Sequence, residues 1–259
     1  MYKGRLFTFG CSFTKYHWPT WADILGKEFE EHYNLGKLGG GNLFIACSVA
    51  EAAAKYNISS NDTVMVMWTN AIREDRYINN FWMTPGNIFT NPVYPEEFIK
   101  KFITIRGCYV RDLAQIYLTD NLLQNIGCKY EFMSMVDITN SDQYSNRDDS
   151  AEIQDILDLY KSSIDKFKPS VHKVLFNYDW DSKPSNIIGD IPRRDKHPLP
   201  LEHLEYIRLV LPEYNVSDDI IKRIEACQNE VSRLATRPRG VRKIDPEQSS
   251  LIFKYFNEA

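Results

Sequence analysis

Apolar positions along this chain recur at two spacings, and the switch between them predicts the elements. Leu6 to Phe9 is a short apolar run and reads as a first strand. Trp18 to Glu30 has helical spacing, with Trp21, Ile24, Leu25 and Phe29 on one face. His32 to Leu35 predicts a short strand, and Gly36 to Gly41 a glycine-rich turn. Asn42 stands where it can cap an alanine-rich helix over Leu43 to Tyr56. Val64 to Trp68 is continuously apolar, the pattern of a parallel strand covered on both faces. From Ala71 to Tyr94 the periodicity fades, and Asn, Pro, Gly and aromatics dominate, as in a long functional loop. Glu96 to Ile126 predicts a long helix with a break near Gly107, and Lys129 to Val136 another strand. Ala151 to Ile164 follows as a helix; Val171 to Phe176 fits either a strand or part of an insertion. Leu199 to Val210 and Asp218 to Leu234 read as helices, before a tail from Arg237 that is basic and then amphipathic.

Strands alternating with helices predict a parallel α/β sheet with helices on both faces. In such sheets the reactive groups gather at the carboxyl ends of the strands. Ser12, Gly39 and Asn70 each follow a different predicted strand.

Composition narrows the classes of partner. The chain has 259 residues, 25% of them charged, and a net charge of −4. That balance argues against nucleic acid, because phosphate binding requires a basic face. No apolar run is long enough to span a bilayer, and the first residues lack the ordered segments of a secretory signal. The expectation is therefore a cytoplasmic protein with no membrane partner. Its five cysteines show no spacing of a zinc knuckle or redox motif and read as reduced packing residues.

The candidate chemistry begins at Gly10-Cys11-Ser12, a small-residue turn at the end of a strand. Such a turn exposes a hydroxyl as a nucleophile. A hydrolytic serine needs a base, a carboxylate to orient that base, and donors aimed at the oxyanion. Asp195-Lys196-His197-Pro198 offers the base and the orienter together. The oxyanion donors would be the backbone N–H groups of Ser12 and Gly39 and the side-chain amide of Asn70. Taken alone, Ser12 reads more readily as a turn residue bonded to a neighbouring N–H. Cys11 is the competing nucleophile, but strand alternation turns adjacent side chains apart and aims it inward. His203 reads as structural. Arg73 to Arg76 reads as a solvated charge cluster. The aromatics Tyr77, Phe81, Trp82, Phe89 and Tyr94 fit a sugar-stacking loop and a small local core equally well.

These blocks resemble those of the GDSL/SGNH hydrolase superfamily. Phe9-Gly10-Cys11-Ser12 resembles the first block, Gly-Asp-Ser, with Cys11 in place of aspartate. Asn34-Leu35-Gly36-Lys37-Leu38-Gly39 resembles Asn-x-Gly-x-x-Gly. Trp68-Thr69-Asn70-Ala71 keeps only the asparagine of Gly-x-Asn-Asp. Asp195-Lys196-His197-Pro198 resembles the last block. The blocks fall in the family's order, from Gly10 to about Tyr206.

The resemblance implies catalytic Ser12, His197 and Asp195, with Asp190 as the fallback carboxylate. It also implies an oxyanion hole of Ser12, Gly39 and Asn70, and neither metal nor organic cofactor. Trp18, Trp82 and Arg194 are expected to contact substrate. The expected architecture is a three-layer α/β/α sandwich with a parallel, flavodoxin-like sheet. It would be one domain over 1–259, with insertions around 71–95 and 137–190 and a C-terminal helical extension over 212–259. The implied function is a serine esterase acting on a small acyl ester, such as an O-acetyl group on a carbohydrate. Alternatives are an acyltransferase using the same site and an inactive binding or scaffold protein on the same fold. Oligomeric state is not legible from the sequence.

Overall fold

The computed structural model describes residues 1–139, 153–179, 197–235 and 244–258. Its first strand, β1 (Tyr2–Phe9), pairs in parallel with β2 (Phe29–Asn34) on one side and β3 (Thr63–Trp68) on the other. A short antiparallel hairpin follows, built from β4 (Arg76–Ile78) and β5 (Phe81–Met83). β6 (Lys129–Ser134) then pairs in parallel with β3, giving a four-stranded sheet of order β2-β1-β3-β6. Its chain order reverses at β1, the switch point of a flavodoxin-like sheet.

Alternation along the strands divides the core in two. Leu6, Met65, Met67 and Met133 face one layer. Phe7, Phe9, Val64, Val66, Trp68 and Phe132 face the other. All six residues of β3 are buried, as expected of a strand covered on both faces. The first layer holds α1 (Trp21–Gly26), α7 (Val171–Phe176), α8 (Pro200–Val210), α9 (Asp218–Ala235) and α10 (Pro246–Glu258). The second holds α2 (Asn42–Tyr56), α4 (Ile105–Ile126) and α5 (Gln154–Leu159). The short helices α3 (Glu96–Phe102) and α6 (Lys161–Ile164) flank α4. The result is the three-layer α/β/α sandwich with a parallel, flavodoxin-like sheet. Among the described residues no helix is long and apolar enough to cross a membrane.

Several boundaries differ from those the pattern predicts, each for a local reason. The helix expected to run to Glu30 stops at Gly26, a weak helix former, because Phe29 enters the ladder opposite Tyr2. The break in the long helix falls at Ile103–Thr104 rather than at Gly107. Thr104 is extended and its side chain accepts from Gly107 N, so it caps α4. Val171–Phe176 is a helix, capped by Ser170 accepting from Lys173 N. The loop after Asn70 contains the β4–β5 hairpin, with Asn79 and Asn80 at positive φ in its turn. The helices of the expected C-terminal extension are part of the first layer, where Ile224, Cys227, Val231, Ile252 and Phe256 are buried.

Candidate active site

The turn after β1 is fixed from several directions. Cys11 O accepts from Thr14 N at 3.0 Å and from Lys15 N at 3.2 Å, and Gly10 O accepts from Lys37 N at 3.0 Å. A Cβ on Gly10 would overlap Thr14 Oγ1 and lie 2.9 Å from the Met67 carbonyl oxygen, so this position accepts only glycine. Cys11 is fully buried in the first layer of the core, and Ser12 is nine-tenths covered.

A polar network, partly buried, braces the turn. Asn34 Nδ2 donates to Thr14 O and to Asp23 Oδ1, both at 2.9 Å. Thr20 Oγ1 donates to the same Thr14 carbonyl at 2.6 Å. Asp23 Oδ2 accepts from Thr20 N at 2.9 Å and closes the start of α1. Burial pushes the Asp23 carboxyl up, against the hydrogen bonds from Thr20 and Asn34 that hold it down.

His197 arrives from far along the chain, just ahead of α8. Its Nε2 lies 2.8 Å from Ser12 Oγ. Tyr16 stacks on the imidazole with ring centroids 3.9 Å apart and planes 17° from parallel. Trp18 Nε1 donates to Pro198 O at 2.8 Å. Trp18 is 4% exposed, so its place is beneath the histidine segment rather than on the cleft wall expected of a substrate contact. Asp195, Arg194 and the fallback Asp190 lie outside the described residues.

Gly39 has a positive φ of 74°, and a Cβ there would overlap the Thr84 carbonyl oxygen. Thr84 Oγ1 donates to the adjacent Leu38 O at 2.9 Å. The rest of this loop is held by residues following Asn70. Arg73 donates to Gly40 O at 2.9 Å. The Asp75 carboxylate accepts from Gly41 N and Phe44 N, at 3.0 Å each, at the start of α2. Burial pushes Asp75 upward, opposed by those N–H donors. Glu74 and Asp75 are 5% and 1% exposed, so the expected solvated cluster is a buried bracket. Glu74 pairs with Arg76 and Arg111.

Asn42 is not the helix cap, which is Gly41. Its amide instead donates to Thr69 O and Asp112 Oδ2 and accepts from Thr69 N, pinning the backbone just before Asn70. Asn70 follows β3, and its Oδ1 is buried without a hydrogen-bond partner among the described residues. That atom is the acceptor of the amide, not the Nδ2 donor an oxyanion hole requires. Trp82 meets Phe44 edge-on at 5.7 Å, with the exposed Tyr77 5.5 Å away on the same hairpin. That ring packs on α2.

Sequence reasoning gave no role to Asn34 beyond its motif, and none to Asp23 or Asp75. The Thr20-Trp21-Ala22-Asp23 run is the one local signal, since it has capping-box spacing. No protein-family model matches the chain, and no curated protein matches it. Among solved structures the chain is similar to a member of the lipolytic protein G-D-S-L family from Veillonella parvula. The identity is 15%, the TM-score 0.42, and the overlap covers 79% of this chain and 96% of that one.

Proposed function

We propose that the protein is a serine esterase of the SGNH type. One observation carries this reading: Ser12 Oγ and His197 Nε2, residues from opposite ends of the motif series, stand 2.8 Å apart. That is the reach a general base needs to take a hydroxyl proton. As His197 Nε2 takes the proton, Oγ bonds to the ester carbonyl carbon. The carbonyl π electrons move to oxygen. The N–H groups of Ser12 and Gly39 and the Asn70 amide stabilise that oxyanion. Among the described residues no acceptor takes the Ser12 or Gly39 backbone N–H. Collapse expels the alcohol with the proton held by His197, leaving an acyl-Ser12. Water, deprotonated by His197, then releases the acid and restores Ser12. Asp195, by resemblance, orients the imidazole.

The substrate class is a small acyl ester, with an O-acetyl carbohydrate as the leading example. Support comes from the hairpin that packs on the Gly39 loop through Thr84, where Tyr77 and Phe81 are exposed and suited to sugar faces. The deciding experiment combines two assays. One follows hydrolysis of a short-chain aryl acetate. The other looks for a covalent fluorophosphonate adduct mapped to Ser12 by mass spectrometry. A wild-type protein that gives neither would overturn the reading. Product analysis with an added sugar acceptor separates hydrolysis from acyl transfer.

A further inference from the structure

The loop that carries the nucleophile also carries a set of rings around the base. Tyr16 lies face-on to the His197 imidazole at 3.9 Å. Phe13 meets the same imidazole tilted by 47° at 5.1 Å. Trp18 stands edge-on behind Tyr16, at 4.6 Å and 79°, and its indole N–H holds the Pro198 carbonyl. From the far side Ser249 Oγ of α10 donates to His17 O at 2.9 Å and ties this loop to the first layer.

The terminal torsion of histidine is broad and roughly two-fold. Hydrogen bonds at the ring edge fix the edge atoms, and a parallel face contact adds resistance to tilting of the ring plane. Such a stack also tolerates the imidazolium formed when His197 takes a proton, since an aromatic face attracts a cation.

We propose that Tyr16 is a positioning residue for His197. Its ring plane fixes the imidazole so that Nε2 stays on Ser12 Oγ. Trp18 acts one step back by fixing both Tyr16 and the backbone after His197. The proposal rests on the esterase reading of the site. It gives the short segment from Phe13 to Trp18 two tasks, presenting the nucleophile and aligning the base.

The experiment compares wild type, Tyr16→Leu, Tyr16→Phe and Trp18→Phe. It measures aryl acetate kinetics, the rate of fluorophosphonate labelling of Ser12, and melting temperature. Tyr16→Leu is expected to lower kcat and the labelling rate about three- to tenfold, the range an aromatic pair contributes. KM should stay within about twofold, because the ring does not bind substrate in this role. Tyr16→Phe keeps the stacked ring and should restore both rates. Trp18→Phe, which loses the bond to Pro198 and part of the packing against Tyr16, should lower kcat in the same sense and tests the idea even where Tyr16→Leu folds poorly.

Wild-type kcat and labelling in folded Tyr16→Leu would overturn the proposal. So would a rise in KM alone, or a Tyr16→Phe no better than leucine. Wild-type protein that neither hydrolyses nor labels overturns the esterase reading, and this proposal with it. Active, labelled wild type beside an unaffected Tyr16→Leu overturns the proposal alone.

Discussion

Asn34 Nδ2 donates to the Thr14 carbonyl at 2.9 Å and fastens the end of β2 to the turn that carries Ser12. Cys11 stands where the Gly-Asp-Ser block that this segment resembles has its aspartate, and it is buried in the core. The bracing of the turn comes instead from Asn34, Thr20 and the half-buried Asp23. Asn34→Ala is therefore expected to leave Asp23 short of a donor. The cost should be about 1 kcal/mol, the typical net worth of an intramolecular hydrogen bond. Urea denaturation reads the loss, and kcat should fall with it. An unchanged midpoint would remove Asn34 from this role.

Ser12→Ala and His197→Ala should each lower aryl ester turnover by at least about 10²-fold, the lower bound usual for a positioned base. Asp195→Ala should lower it less. Cys11→Ala should keep turnover and fluorophosphonate labelling, at some cost in stability from the cavity left in the core. Labelling that follows Cys11 instead of Ser12 would reassign the nucleophile.

Gly39→Ala tests the oxyanion loop. The substitution meets the Thr84 carbonyl and a left-handed backbone together. The backbone part alone costs about 1–2 kcal/mol. Displacing the Gly39 N–H should lower kcat by up to about 10²–10³-fold, as loss of one oxyanion donor does elsewhere. KM should change little. Steady-state kinetics on the aryl acetate decide it; a normal kcat would take Gly39 out of the oxyanion hole.

His32 makes an acid-side prediction. Its imidazole bonds Thr8 Oγ1 at 3.0 Å, and burial, with Lys27 and Lys15 adding, pushes its pKa down to about 4. The unfolded chain, with a histidine near 6.5, binds the extra proton first as pH falls. Stability from this group is thus fully present above about 6.5 and is lost as pH falls toward 4, by roughly 3 kcal/mol in all. Buried Asp112, pushed up to about 6 by burial, acts in the opposite sense, since the native state there holds its proton longer. Comparing wild type with His32→Gln by denaturant melts from pH 7 to 4 isolates the histidine. Parallel stability curves for the two proteins would show that His32 does not titrate this way.

The strands were readable because their patterns follow from burial on both faces of a sheet. Val64 to Trp68 needed no partner to be recognised. Ser12 and His197 could be singled out separately, each from its own short block, although 185 positions separate them. What could not be read were the groups whose environment comes from distant chain. Glu74 and Asp75 look solvated in Arg-Glu-Asp-Arg. Their partners are Arg111, Gly41 and Phe44, between 31 and 37 positions away. Asn42 looks like a cap until Thr69 and Asp112 are beside it. Trp18 could be placed near a cleft, but neither Tyr16 against His197 nor Trp18 against Pro198. Val171 to Phe176 carries strand-like residues, and Ser170 and the layer around it make them a helix.

The bond from Ser249 Oγ to the His17 carbonyl spans 232 positions of sequence. A ribosome making this chain adds the loop beside Ser12 some 232 positions before Ser249, so that loop lacks this brace until residue 249 has emerged. Loop closure over such separations comes late in folding. The segment around Ser12 is thus made well before one of the contacts that hold it, and its surroundings are completed only when residues more than two hundred positions later have joined the fold.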